Sequence, residues 1–145
     1  MFEKILYPTD FSDVAAKALT YIIKLKDSGA REVVVLHVID ERGTEPVRRF
    51  LDQKDFEALK KNKEEETEKL LKDVAKELTQ AGLKVKLRIE TGIPVREILK
   101  VEAEEGVSAV VIGSHGMSNL QEIFLGSVSE KVIRKSKRPV FVIKR

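Results

Sequence analysis

Cysteine and tryptophan are both missing from these 145 residues, and aromatic residues make up only 6% of the chain. Without cysteine there is no disulfide framework, no thiolate nucleophile and no cysteine-held metal. Stability has to come from a packed core, which a chain of this length can bury. No apolar run approaches the ~20 residues of a membrane-spanning helix, and no basic start followed by an apolar stretch marks a secretory leader. The expected address is cytoplasmic. Neither sign of charge dominates: 27 Lys and Arg stand against 24 Asp and Glu, a formal net charge of +3. With a balance that even, and no basic block interleaved with aromatics, neither a nucleic acid nor a membrane is expected as a partner. Internal repeats, linkers and low-complexity segments are also absent, so residues 1–145 read as one domain.

What is present is a regular alternation of two hydrophobic periods. Residues 2–7, 32–39, 84–89, 107–112 and 140–144 are short, β-branched and apolar, and are predicted as strands. Residues 14–25, 47–80, 95–105 and 127–135 carry apolar positions at helical spacing. The long second helix is expected to bury Phe50, Leu51, Phe56, Leu59, Leu70, Leu71, Val74 and Leu78, with a break before Leu59 where the spacing loosens. Asp10 and Ser12 are both candidate caps for the first helix, and Ser127 with Glu130 has capping-box spacing for the last. His37, inside an apolar strand, is expected to be a hydrogen-bonded core residue.

Strands alternating with helices imply parallel pairing with right-handed crossovers, hence an α/β fold with a doubly wound five-stranded parallel sheet. The second and fourth strands are nearly continuous in apolar residues and belong inside the sheet. The alternating third and the short fifth belong at its edges. Order 3-2-1-4-5 satisfies this and puts a topological switch between strands 1 and 4. Ligands in such sheets bind beyond the carboxyl ends of the strands at the switch. Strand 1 ends in Pro8-Thr9-Asp10 and strand 4 in Gly113-Ser114-His115-Gly116, so these two turns should meet.

Their chemistry suits a phosphorylated ligand. Gly113 and Gly116 allow close approach of backbone to phosphate, because no Cβ intervenes. Gly126 and Ser127 offer backbone N–H groups and a hydroxyl at a helix start, where the macrodipole favours anions. Asp10 is suited to ribose hydroxyls or to a divalent metal bridging phosphates, and Val38 to an apolar slot for a base.

The spacing Gly113-x2-Gly116-x9-Gly126-Ser127 resembles the signature of the ATP-binding branch of the universal stress protein family. The likeness extends along the whole chain, through Ile5-Leu6-Tyr7-Pro8-Thr9-Asp10, Leu36-His37-Val38-Ile39-Asp40, Gly92-Ile93-Pro94 and the closing Arg138-Pro139-Val140-Phe141-Val142-Ile143-Lys144. Archaeal single-domain members are the most similar in kind. That resemblance implies a Rossmann-like, adenine nucleotide alpha-hydrolase-like fold and a stress-response role, with a homodimer binding ATP in each subunit. It sets Pro8, Thr9, Asp10 and Val38 around adenine and ribose. It sets Gly113, His115, Gly116, Gly126, Ser127, Val128 and Ser129 around the phosphates, with Mg or Mn alongside. Met117 and Asn119 fall in the connecting loop, over the ligand. Dimerisation also follows from the strand at 140–144, an apolar edge that a second copy would cover by pairing antiparallel.

Catalysis is not expected to be fast. The Walker pattern Gly-x4-Gly-Lys-Ser/Thr is absent, and no Lys or Arg lies between Gly113 and Ser129 to meet charge developing on a γ-phosphate. The expectation is an ATP-dependent switch with slow or partner-dependent hydrolysis, the protein partner being unknown. Two alternatives are a dimeric interaction module with little nucleotide binding and a genuine slow ATPase. A phosphoacceptor receiver domain fits less well, because strand 3 ends in Glu90-Thr91-Gly92 and the site is rich in glycine, not acid.

Overall fold

The computed structural model describes residues 1–43, 45–115 and 126–145. Five strands, β1 (Lys4–Pro8), β2 (Glu32–Asp40), β3 (Lys84–Gly92), β4 (Ala109–Gly113) and β5 (Val140–Ile143), form one parallel sheet. Its order is β3-β2-β1-β4-β5, the order expected from strand composition. Helices α1 (Asp13–Leu25), α2 (Glu45–Arg48), α3 (Gln53–Gln80), α4 (Pro94–Glu105) and α5 (Ser127–Lys135) connect them.

Period-two alternation in the strands supplies two separate cores. Ile5, Tyr7, Val33, Val35 and Val111 pack with Ala18, Leu19 and Ile22 of α1 and with Leu71 and Leu78 of α3. Leu6, Val34, Leu36, Val110 and Ile112 face the other way, against Ile98 and Val101 of α4 and Val132 of α5. Shifting any of these strands by one residue would exchange the two sets, so the register is firmly specified.

The long second helix is interrupted before Leu59 as expected, with α2 ending at Arg48 and α3 beginning after Asp52, whose side chain accepts from the Asp55 N–H at 2.8 Å. Other expectations need correction. Of the apolar residues expected on its buried side, only Leu71 and Leu78 are buried, with Val74 packed beside them. Phe50 is 88% exposed, and Leu59 and Leu70 are each 37% exposed. Length contributes: 28 helical residues span ~42 Å, whereas a nine-residue strand covers ~30 Å, so α3 outruns the sheet by ~12 Å, about eight residues.

Of the two candidate caps for α1, Ser12 is the one used, accepting from the Ala15 N–H at 3.2 Å, while Asp10 accepts from the Ser12 N–H at 3.0 Å in the preceding turn. Gly126, not Ser127, is the N-cap of α5, so no capping box forms there; Glu130 instead pairs with Arg134 at 2.6 Å. Finally, β3 runs on to Gly92, three residues past its expected end, because β2 offers it partners as far as Asp40.

An ion-pair cluster ties the end of α4 to the sheet. Glu105, its side chain only 7% exposed, meets Lys86 at 2.7 Å, Lys4 at 3.2 Å and Arg88 at 3.2 Å. Hydrogen bonding from the Lys86 ammonium is the main influence holding its carboxyl down at about 2. A depressed carboxylate pKa adds stability above its unfolded value of 4.5, and that stability is lost as pH falls from there toward about 2. Urea unfolding of the wild type should therefore weaken by on the order of 1–2 kcal/mol more over this range than that of Glu105→Gln. Equal pH dependence in the two proteins would contradict the assignment.

Candidate functional site

The site exists because the sheet splits. β1 and β4 are paired only at Ile5 with Ala109 and Leu6 with Val110. Beyond that point β1 hydrogen-bonds away from β4, the Thr9 N–H donating to the Leu36 carbonyl of β2 at 2.8 Å. On the other side the Ser114 N–H donates to the Ile143 carbonyl of β5 at 2.8 Å. Two neighbouring strands thus turn their backbone groups outward, and a crevice opens between their carboxyl ends.

That crevice is a cavity of about 230 Å³. Leu36 and Val38 of β2, Ile112 of β4, Pro94 and Ile98 of α4 and Val128 of α5 give it apolar walls. Thr9, Asp10, Ser12, Asp40, His115 and Ser129 supply the polar groups. An apolar slot with a few convergent polar groups is the usual form of a small-molecule site.

The loop after β1 is held in an unusual conformation. Phe11 has φ 63°, the left-handed region that a bulky residue seldom adopts. Its N–H donates to Thr9 Oγ1 at 3.1 Å, and its ring lies 4.9 Å from that of His37. His37 Nδ1 donates to the Thr9 carbonyl at 2.8 Å, so the histidine is hydrogen-bonded as expected, but it is half-buried and not part of the core. Since a carbonyl only accepts, the His37 proton sits on Nδ1. The loop is pinned from both sides, with Thr9 and Asp10 on the cavity wall.

His115 is the most informative group. It is 6% exposed, its Nδ1 is 2.7 Å from Ser114 Oγ, and its Nε2 is buried without a hydrogen-bond partner among the described residues. An orphaned buried nitrogen costs about 1–3 kcal/mol, so a partner of complementary polarity in the cavity would be stabilising. When Ser114 Oγ donates to Nδ1, Nε2 carries the proton and presents a donor to an anion.

Of the residues singled out from sequence, Pro8, Thr9, Asp10, Val38, Gly113, His115, Val128 and Ser129 come together around this one cavity. Gly126 lies just behind it as the N-cap of α5, its N–H donating to the Ser114 carbonyl at 2.7 Å. Ser129 Oγ donates to the Gly113 carbonyl at 2.6 Å, a second tie between α5 and β4. Ser127 lines an adjoining recess instead. Gly116, Met117 and Asn119 lie outside the described residues.

Gly113 has a packing role that its place in the motif does not suggest. A Cβ there would come within 2.8 Å of Val14 Cγ1 and 3.4 Å of the Ala15 nitrogen, so the missing side chain lets α1 close on β4. The residues overlooked in the sequence are Ser12, Ala15, Leu36, Asp40, Pro94, Ile98 and Ile112. Pro94 had a signal in Gly92-Ile93-Pro94, which reads as a turn but also opens the helix facing the crevice.

The universal stress protein family model matches residues 1–144. The chain belongs to the universal stress protein family. A universal stress protein of Methanocaldococcus jannaschii is 45% identical over 158 residues, covering 100% of this chain and 96% of that one. Its solved structure superposes with a TM-score of 0.87, at 48% identity, over 100% of this chain and 97% of the other. A universal stress protein from Archaeoglobus fulgidus in complex with dAMP gives a TM-score of 0.66 at 22% identity, covering 99% of this chain and 98% of that one. Another, in complex with cAMP, gives 0.67 at 21% identity over 99% and 97%. At these lower identities the likeness is one of fold.

Within this universal stress protein, Gly113→Ala should destabilise by about 1–3 kcal/mol, the usual result of forcing atoms into a packed contact. Thermal or urea unfolding reads this directly. An unchanged midpoint would show that α1 and β4 do not press together at Gly113.

Proposed function

We propose that residues 1–145 form one nucleotide-binding domain that takes ATP into the crevice between β1 and β4 and acts as a nucleotide-dependent switch in the stress response. The observation that carries this is the buried His115 Nε2, which has no hydrogen-bond partner among the described residues, on the wall of an apolar cavity at the topological switch. The adenine ring fits between Val38, Pro94 and Ile98, and Asp10 stands where ribose hydroxyls need an acceptor. Phosphates then fall toward His115 and the start of α5, whose first turn has no side-chain cap. The adenine nucleotides held by two proteins of this fold are in keeping with this choice.

No cluster of three or more metal-ligating side chains occurs among the described residues. A nucleotide-borne Mg or Mn needs only one or two protein carboxylates, and Asp10 can supply one. When bound, such an ion neutralises phosphate charge.

Slow hydrolysis follows from what lines the cavity. Lys and Arg are absent among its described residues, so no cation there stabilises charge on a departing phosphoryl group. The protein binds and orients the nucleotide without driving its cleavage. The working form is a cytoplasmic homodimer joined through β5, an edge strand whose apolar side chains are only half-buried. Among the described residues no helix is long and apolar enough to cross a membrane.

Isothermal titration calorimetry with ATP, together with native mass spectrometry, tests this. One nucleotide per subunit of a dimer is expected, with Asp10→Ala weakening binding about tenfold. An empty protein with no affinity for ATP, AMP or adenosine would leave a dimeric interaction module as the better description. Single-turnover hydrolysis should be far slower than the ~1–1,000 per second of ordinary enzymes, and a rate in that range would refute the switch.

A further inference from the structure

The protruding half of α3 is helix that its own chain does not cover. Every residue from Glu57 to Glu66 is exposed, and the two fully buried positions of α3, Leu71 and Leu78, come later. Helix of this length without packing is marginal in water, so the stretch is carried by its continuity with the packed half. Its side chains are nevertheless ordered into a stripe. Phe56, Leu59, Lys63, Glu66 and Leu70 follow one another at alternating spacings of three and four, which sets them along one face. Leu70 is turned about 100° from Leu71, so this face flanks the buried one. Leu59 and Leu70 stay exposed on it, and Phe56 is half-buried with the Arg48 guanidinium 5.6 Å from its ring centre. Lys63 and Glu66 enter no ion pair with any described residue, whereas Arg134 and Lys100 on shorter helices are paired with Glu130 and Glu97.

The stripe is its own complement when reversed. From Leu59 through Lys63 and Glu66 to Leu70 the steps are the same in either direction, with leucine at both ends and one charge of each sign between. A second α3 laid antiparallel therefore sets each Leu59 against a Leu70 and each Lys63 against a Glu66. Other arrangements fail on charge. Parallel helices would oppose Lys63 to Lys63 and Glu66 to Glu66. An antiparallel pair slipped by one heptad would press Lys63 onto Leu59 and Glu66 onto Phe56, leaving charges desolvated and unmatched. Because α3 reaches ~12 Å past the sheet, two such helices can overlap with their sheets at opposite ends.

We infer that the outer half of α3 is a self-association surface on which a second copy of this chain docks its own α3 antiparallel, Leu59 against Leu70 and Lys63 against Glu66. The leucine pairs supply the affinity and the ion pairs set orientation and register. The contact is small, so association is weak and grows with concentration. It does not depend on nucleotide. Nor does it compete with pairing through β5, because α3 packs on β3, at the opposite edge of the sheet. Used together, the two contacts link dimers into larger assemblies.

Sedimentation of the full chain up to millimolar concentration tests this, in the wild type, in Lys63→Glu, in Glu66→Lys and in an equal mixture of the two variants. Mass in the wild type should grow with concentration beyond that of the dilute unit. Each variant alone opposes like charges twice across the two-fold and should associate about tenfold more weakly or worse. The mixture restores both ion pairs and should recover the growth. Both positions are exposed, and melting curves check that each variant folds. A second measurement leaves the charges intact. The chain has no cysteine, so Leu59→Cys and Leu70→Cys each introduce a single thiol. Under oxidised glutathione the mixture of these two should cross-link, and neither alone should, since like positions lie ~16 Å apart along the pair. Constant mass in the wild type would overturn the inference. So would variants that associate as well as wild type, a mixture that stays dispersed, or cross-linking as strong in one cysteine variant alone.

Discussion

Everything in this molecule depends on how hydrogen bonding divides between β1 and β4. The two strands share only a short stretch of ladder, and then one bonds to β2 and the other to β5. The Thr9 and Ser114 N–H groups are both hydrogen-bonded, each to the strand away from the crevice, and the sheet is left with an opening at its centre. Side chains from both flanking strands and from α4 and α5 can then line a common space. The opening follows from the strand order.

Local devices make the opening specific. The left-handed Phe11, pinned through Thr9 and against His37, fixes the loop that carries Asp10. Gly113 lets α1 press on β4, and the bonds from Gly126 to Ser114 and from Ser129 to Gly113 bring α5 back to the same strand end. These contacts build the walls in advance. What they leave open, among the described residues, is one buried imidazole nitrogen on the cavity wall, His115 Nε2.

Much of this is legible in the sequence. Val33 to Leu36 and Ala109 to Ile112 are apolar without alternation, so they belong inside a sheet, and that fixes the order and the meeting of Pro8-Thr9-Asp10 with Gly113-Ser114-His115. Pro94, Ile98 and Asp40 are less visible, because a helix that covers a sheet shows the same apolar spacing whether or not it also walls a cavity. The exposure of the first half of α3 is not legible in the sequence, because periodicity reports an apolar stripe but not whether a strand is long enough to lie beneath it.

The central claim is that the crevice between β1 and β4 receives an adenine nucleotide, and a nuclear magnetic resonance titration of the labelled protein with ATP addresses it residue by residue. Saturable shifts should concentrate at Thr9, Val38, Ile98, His115 and Val128, while Phe56 and Leu59 on the outer half of α3 stay unchanged. Shifts confined to other surfaces, or none at saturating ATP, would contradict the account.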